Sequence, residues 1–166
     1  MTGNEIFYER LSSNRTEALF LVLTFLFFRL HRRRYNRADR LDLFAALFFI
    51  LFVFFGFCSL NYRTLIIRLT EEKLTLIFGL FRWRVPLHNV AECRRDELPL
   101  FMRLGGAGIH FMFIRKRYRV SFNFLEYPRI LIRLKRKVGP VEDVSFSTRR
   151  PDEFLQIIQE IRPIHC

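Results

Sequence analysis

The sequence predicts a membrane-anchored, mainly-β protein in which an N-terminal α-helical transmembrane hairpin precedes a curled β-sheet or barrel with a C-terminal amphipathic helix. Three observations carry this. The stretch Leu43–Leu60 holds no charged residue. A second apolar run, Ala18–Phe28, precedes it. From Thr64 onward the pattern changes to short β-type runs separated by turn residues, and it ends in the amphipathic segment "RPDEFLQIIQEIR". Residues 1–62 therefore read as a membrane anchor, with helices at about 17–30 and 41–61 joined by an Arg-rich loop, and residues 63–166 as a second domain.

As a helix, Leu43–Leu60 covers about 27 Å, close to the thickness of a bilayer's hydrocarbon core. A core helix of a soluble protein would keep a polar face, and this run has none. A cleavable signal would start nearer the first residue. The run is read as a transmembrane helix. The earlier run, extended to Leu30, covers only about 20 Å, so Arg29 has to snorkel for it to span. A helix lying partly in the interface is the alternative.

Between the runs lies "RLHRRRYNRADRLD", with Arg29, Arg32, Arg33, Arg34, Arg37 and Arg40 opposed by Asp39 and Asp42. Positive charge beside a span tends to stay in the cytoplasm, which would place the second domain outside. That domain is itself basic, with 20 Lys/Arg against 11 Asp/Glu, so the sequence leaves the side open. The expected location is an integral membrane protein of the cell membrane.

In the second domain the expected strands are Leu65–Leu69, Leu74–Phe78, Trp83–Val90 (broken by Pro86), Ile109–Ile114, Tyr118–Phe124, Arg129–Lys135 and Val144–Ser147. Residues 94–108 read as a loop with a Gly-rich end. Pro151 suits the first position of the last helix, and Asp152 and Glu153 suit its positive dipole end. Phe154, Leu155, Ile157, Ile158 and Ile161 share one broad face.

The stretches "LTEEKLTLIFGLFRWRVPLHNV" (Leu69–Val90) and "YRVSFNFLEYPRILIRLKRK…VSFSTRRPDEFLQII" carry a resemblance. Together they resemble the pleckstrin-homology (PH)-like domains of small bacterial and archaeal membrane proteins, often found behind an N-terminal pair of spans. The resemblance covers about residues 61–163, and the long 91–108 segment departs from the compact pattern. It implies a curled sheet capped by a helix, and a binding or scaffolding module. Fold by itself does not fix function.

The residues offer little for catalysis. His31, His88, His110 and His165 are scattered, without HxxxH or HExxH spacing. The three cysteines, Cys58, Cys93 and Cys166, form no CxxC pair and indicate neither a disulfide framework nor a zinc site. The glycines at 105, 106 and 108 are not followed by a GKS or GKT motif. Adjacent carboxylates such as Glu142-Asp143 point to opposite faces of a strand, and Ser121, Ser145 and Ser147 lack a GxSxG context. No enzyme, metal or cofactor is expected.

The basic residues are the candidate site. Arg115, Lys116 and Arg117 fill an expected hairpin tip. Arg133, Lys135 and Lys137 alternate with Leu134 and Arg136, which places the first three on one face. Arg119 lies on the returning strand, expected beside them, and Arg149 and Arg150 precede the last helix. The expected partner is the bilayer, through anionic phospholipid headgroups at about 1 kcal/mol per basic residue. A solvated outer face is the plain reading of the same charges. A protein-interaction or assembly role in a membrane complex is the alternative function, and nucleic acid is disfavoured because no stacking platform accompanies the charge.

Overall fold

The computed structural model describes residues 5–38, 42–96, 108–114, 116–124 and 126–161. They form a mixed α/β structure of two β-sheets and three helices. In chain order these are β1 (Glu5–Ser12), α1 (Asn14–Ala38), α2 (Leu43–Asn61), β2 (Thr64–Thr70), β3 (Lys73–Phe78), β4 (Phe81–Pro86), a 3-10 turn (Leu87–Asn89), β5 (Val90–Arg95), β6 (Gly108–Ile114), β7 (Arg117–Asn123), β8 (Arg129–Val138), β9 (Val141–Ser147) and α3 (Pro151–Ile161).

The first sheet is antiparallel, in the order β1-β2-β3-β4. Period-two alternation drives it: Leu65, Ile67 and Leu69 of β2 are fully buried, as are Leu74, Leu76 and Phe78 of β3. The second sheet has the order β5-β8-β9-β7-β6. Its neighbours are antiparallel except β7 and β9, which run parallel, with Val120 opposite Val144 and Phe122 opposite Phe146. The expected single curled sheet is thus two sheets, and the second is not a simple meander. The expected strand Trp83–Val90 ends at Pro86, whose missing N–H suits a strand end. A new strand, β5, opens at Val90 in the other sheet.

Both sheets contribute to one core. Phe78 of the first sheet packs against Phe122 and Phe124 of the second stretch of chain, with ring centroids 6.5 and 5.2 Å apart. α3 closes one end of it. Its Phe154 meets Phe7 of β1 at 5.3 Å and Phe146 of β9 at 5.1 Å, both edge to face. Ile158 is buried one turn later.

Two features correct the expected 1–62 anchor. Glu5–Ser12 is not part of it but an edge strand of the first sheet, paired with β2 from Glu5↔Thr70 to Ser12↔Thr64. The pattern hid because the inward positions are Phe7, Glu9 and Leu11, and Glu9 breaks the apolar alternation. The Arg-rich loop is also largely helix, since α1 runs on to Ala38 and carries Arg29, Arg32, Arg33, Arg34 and Arg37. Arg40 lies outside the described residues.

α1 and α2 form an antiparallel pair inserted between the paired strands β1 and β2. Phe27 stacks on Phe55 at 5.3 Å, and Phe28 meets Phe52 at 5.4 Å. The α2 N-terminus is capped by Asp42, whose carboxylate accepts from the Ala45 N–H at 2.7 Å. Among the described residues α2 is the one helix long and apolar enough to cross a membrane. The sequence reading expected two such helices.

Candidate functional site

The strand order explains what happens to the expected basic face. Arg119 on β7 and Arg133 on β8 are not on neighbouring strands. β9 lies between them, and its Asp143 stands opposite both. An acidic strand segment therefore divides the two basic ones. Arg117 donates to Asp143 at 2.9 Å and lies 3.8 Å from Glu142. Arg133 pairs with Glu92 of β5 at 2.8 Å, and Lys137 pairs with Glu142. The hydrogen bond from the Lys137 ammonium holds the Glu142 carboxyl below the usual carboxylate range.

Arg119 is buried. Its Nη1 donates to both oxygens of Asp96 at 2.9 and 3.0 Å, and Ser145 donates to Asp96 at 2.9 Å. The hydroxyl of Ser121 and the amide of Asn123, on the same face of β7, are buried with no hydrogen-bond partner among the described residues. Arg119 is thus a structural charge, unavailable to a headgroup.

Arg149 and Arg150 fasten β1 to the body of the fold. Arg150 lies over the Phe7 ring at 4.6 Å, donates to the Tyr8 carbonyl at 2.8 Å and pairs with Glu153 at 2.9 Å. Arg149 lies over Tyr127 at 4.9 Å, and the Tyr127 hydroxyl donates to the Ser12 carbonyl. Buried Glu9 accepts from Thr148 and from the Arg149 backbone N–H. Of the expected set, Lys116 and Lys135 remain exposed without an acidic partner among the described residues. Arg115 lies outside the described residues.

A further set of cations lies on α1. Arg29, Arg32, Arg33 and Arg37 are exposed and lack acidic partners among the described residues, while Arg34 pairs with Asp42 at 2.6 Å. Their height on the helix pair follows from neighbouring contacts. His31 hydrogen-bonds the Ala45 carbonyl at 2.9 Å, and Arg34 reaches Asp42. Arg32, Arg33 and Arg37 therefore lie level with or beyond the first turn of α2, where its apolar run begins. Arg29 sits about one turn deeper than Arg33. Leu26, Phe28 and Leu30 interleave with these arginines along an open groove on the outer side of α1. The sequence named these residues as flanking charges. It did not show that a helix arranges them in a band.

Among the described residues no group of three or more His, Cys, Asp or Glu is placed to hold a metal ion. No protein-family model, curated protein or solved structure matches the chain.

Proposed function

We propose that this protein is a non-enzymatic, membrane-tethered binding module whose α1 arginines contact anionic phospholipid headgroups. The observation that carries the reading is the level of Arg32, Arg33 and Arg37 with the end of the apolar α2 helix. Val22 and Phe25 of α1, and Phe44, Ile50 and Phe54 of α2, are all more than half exposed. An apolar surface of this extent calls for lipid or protein cover. With α2 across the bilayer, α1 accompanies it and its arginine band lies at headgroup level. Arginine is costly at the bilayer centre and favourable at the interface.

The two sheets closed by α3 agree with a PH-like binding module, while the inserted β9 departs from a plain PH-like meander. The headgroup contact moves from the β-face to α1, because most β-face charges are neutralised within the fold.

The test is the phospholipid that copurifies with the full chain in mild detergent, read by native mass spectrometry. Wild type should retain anionic phospholipid in a salt-sensitive manner. A variant with Arg29, Arg32, Arg33 and Arg37 changed to Gln should lose it while keeping its fold. The same lipid complement in both would defeat the reading. A membrane-protein partner retained at high salt, in place of lipid, would favour the assembly role.

A further inference from the structure

We propose that the open mouth between the two sheets holds one acyl chain of a membrane phospholipid, an inference that rests on the membrane reading above. The second sheet is wider than the first. Ile109 and Phe111 of β6 stand opposite Phe122 and Val120 of β7, on the inward face. Yet Phe111 is 57% exposed and Phe113, two residues on, is 69% exposed. The first sheet ends at β4, so nothing in it covers this row. The gap is a cleft of about 370 Å³ walled by Tyr62, Phe81, Trp83, Ile109, Phe111 and Phe122, a size within the range of small-ligand sites.

Three observations select the occupant. The walls are aromatic and aliphatic, which suits a hydrocarbon chain. The cleft is also continuous with the helix pair: Tyr62 follows the last residue of α2, and its ring meets Phe20 of α1 at 5.8 Å and Phe78 of the core at 5.3 Å. Tyr62 thus belongs both to the foot of the helix pair and to the wall of the cleft. Finally, Arg82, also in the lining, is exposed without an acidic partner among the described residues. A phospholipid supplies the chain for the walls and a phosphate for the guanidinium.

Trp83 is the single tryptophan of the chain, so its emission reports the cleft alone. The experiment titrates the purified full chain in detergent with a lysophosphatidylglycerol whose acyl chain is dibrominated, since bromine quenches a tryptophan it touches. Saturable quenching at one site is expected. Phe111→Gln, at an exposed wall position, should weaken it about tenfold, and Arg82→Gln about fivefold, with unchanged circular dichroism. Quenching that rises without saturation, or is equal in both variants, overturns the proposal. So does shielding of Trp83 by a copurified peptide or by a second copy of the chain. Vesicle flotation of the same preparation tests membrane insertion separately: a chain that floats but is not saturably quenched fails only the cleft assignment, and one that does not float fails the membrane reading.

Discussion

Arg119 and Asp96, 23 residues apart in sequence, meet as a buried ion pair in which one guanidinium nitrogen serves both carboxylate oxygens. The pair joins β7 to the end of β5, at the far side of the second sheet. Removing Asp96 leaves Arg119 only the looser 4.0 Å contact with Asp143, and breaking a buried pair costs about 3–5 kcal/mol. Asp96→Ala should therefore lower stability by several kcal/mol in urea unfolding followed by Trp83 emission. Arg119→Met combined with Asp96→Leu should recover much of the loss. A single variant as stable as wild type would show that the pair contributes nothing.

Gly79 joins β3 to β4 with φ of 59°, and a Cβ there would lie 2.2 Å from the Asn61 carbonyl oxygen at the end of α2. Both the left-handed backbone and the close approach demand glycine. Gly79→Ala should destabilise the sheet and loosen its junction with the helix pair. Amide exchange in β2 and β3 should rise while that of α3 changes less. Unaltered exchange in β2 would count against the junction as the point of strain.

Lys116 occupies the β6–β7 turn with φ of 64°, a conformation that costs an ordinary L-residue about 1–2 kcal/mol. Lys116→Gly should raise stability by about 1 kcal/mol, less the entropy glycine adds to the unfolded chain. A loss of stability would mean that the lysine makes a contact worth more than the strain.

Glu142 titrates below the usual carboxylate range because the Lys137 ammonium hydrogen-bonds it, with Arg117 adding a weaker attraction. A depressed folded-state pKa contributes stability that is present above the unfolded value, about 4.3 for glutamate, and is lost as pH falls through the folded value. Lys137→Gln should move the Glu142 titration upward in carboxyl NMR and narrow that acid window. An unmoved titration would assign the shift to another neighbour.

Much of the architecture was legible from local pattern. The β2 and β3 runs, the β6–β7 hairpin, the apolar α2 and the Pro-Asp-Glu opening of α3 each follow a period or a cap that short windows reveal. What escaped depended on distant residues. β1 was hidden by Glu9, an inward carboxylate that makes sense only beside Thr148 and Arg149. Period two places Arg133, Lys135 and Lys137 on one face, which predicts an open basic surface. Alternation within one strand says nothing about which strands lie alongside, and here they are β5, with Glu92, and β9, with Glu142 and Asp143. The charge run after Leu30 suggests a loop, yet arginine is a good helix former, and α1 continues through it to Ala38.

The clasp on β1 also sets an order of events during synthesis. Glu9 waits for Thr148, a partner 139 residues later, and Phe7 waits for Phe154. The helix pair emerges from the ribosome long before either partner exists. The helix pair and the β1–β2 pairing are therefore complete in sequence well before the sheets can close, and Phe7 and Glu9 lack their partners until the last strand and helix arrive. Chains interrupted before residue 148 would leave Phe7 without the ring of Phe154 and Glu9 without the Thr148 and Arg149 donors, a buried carboxylate with nothing to hold it.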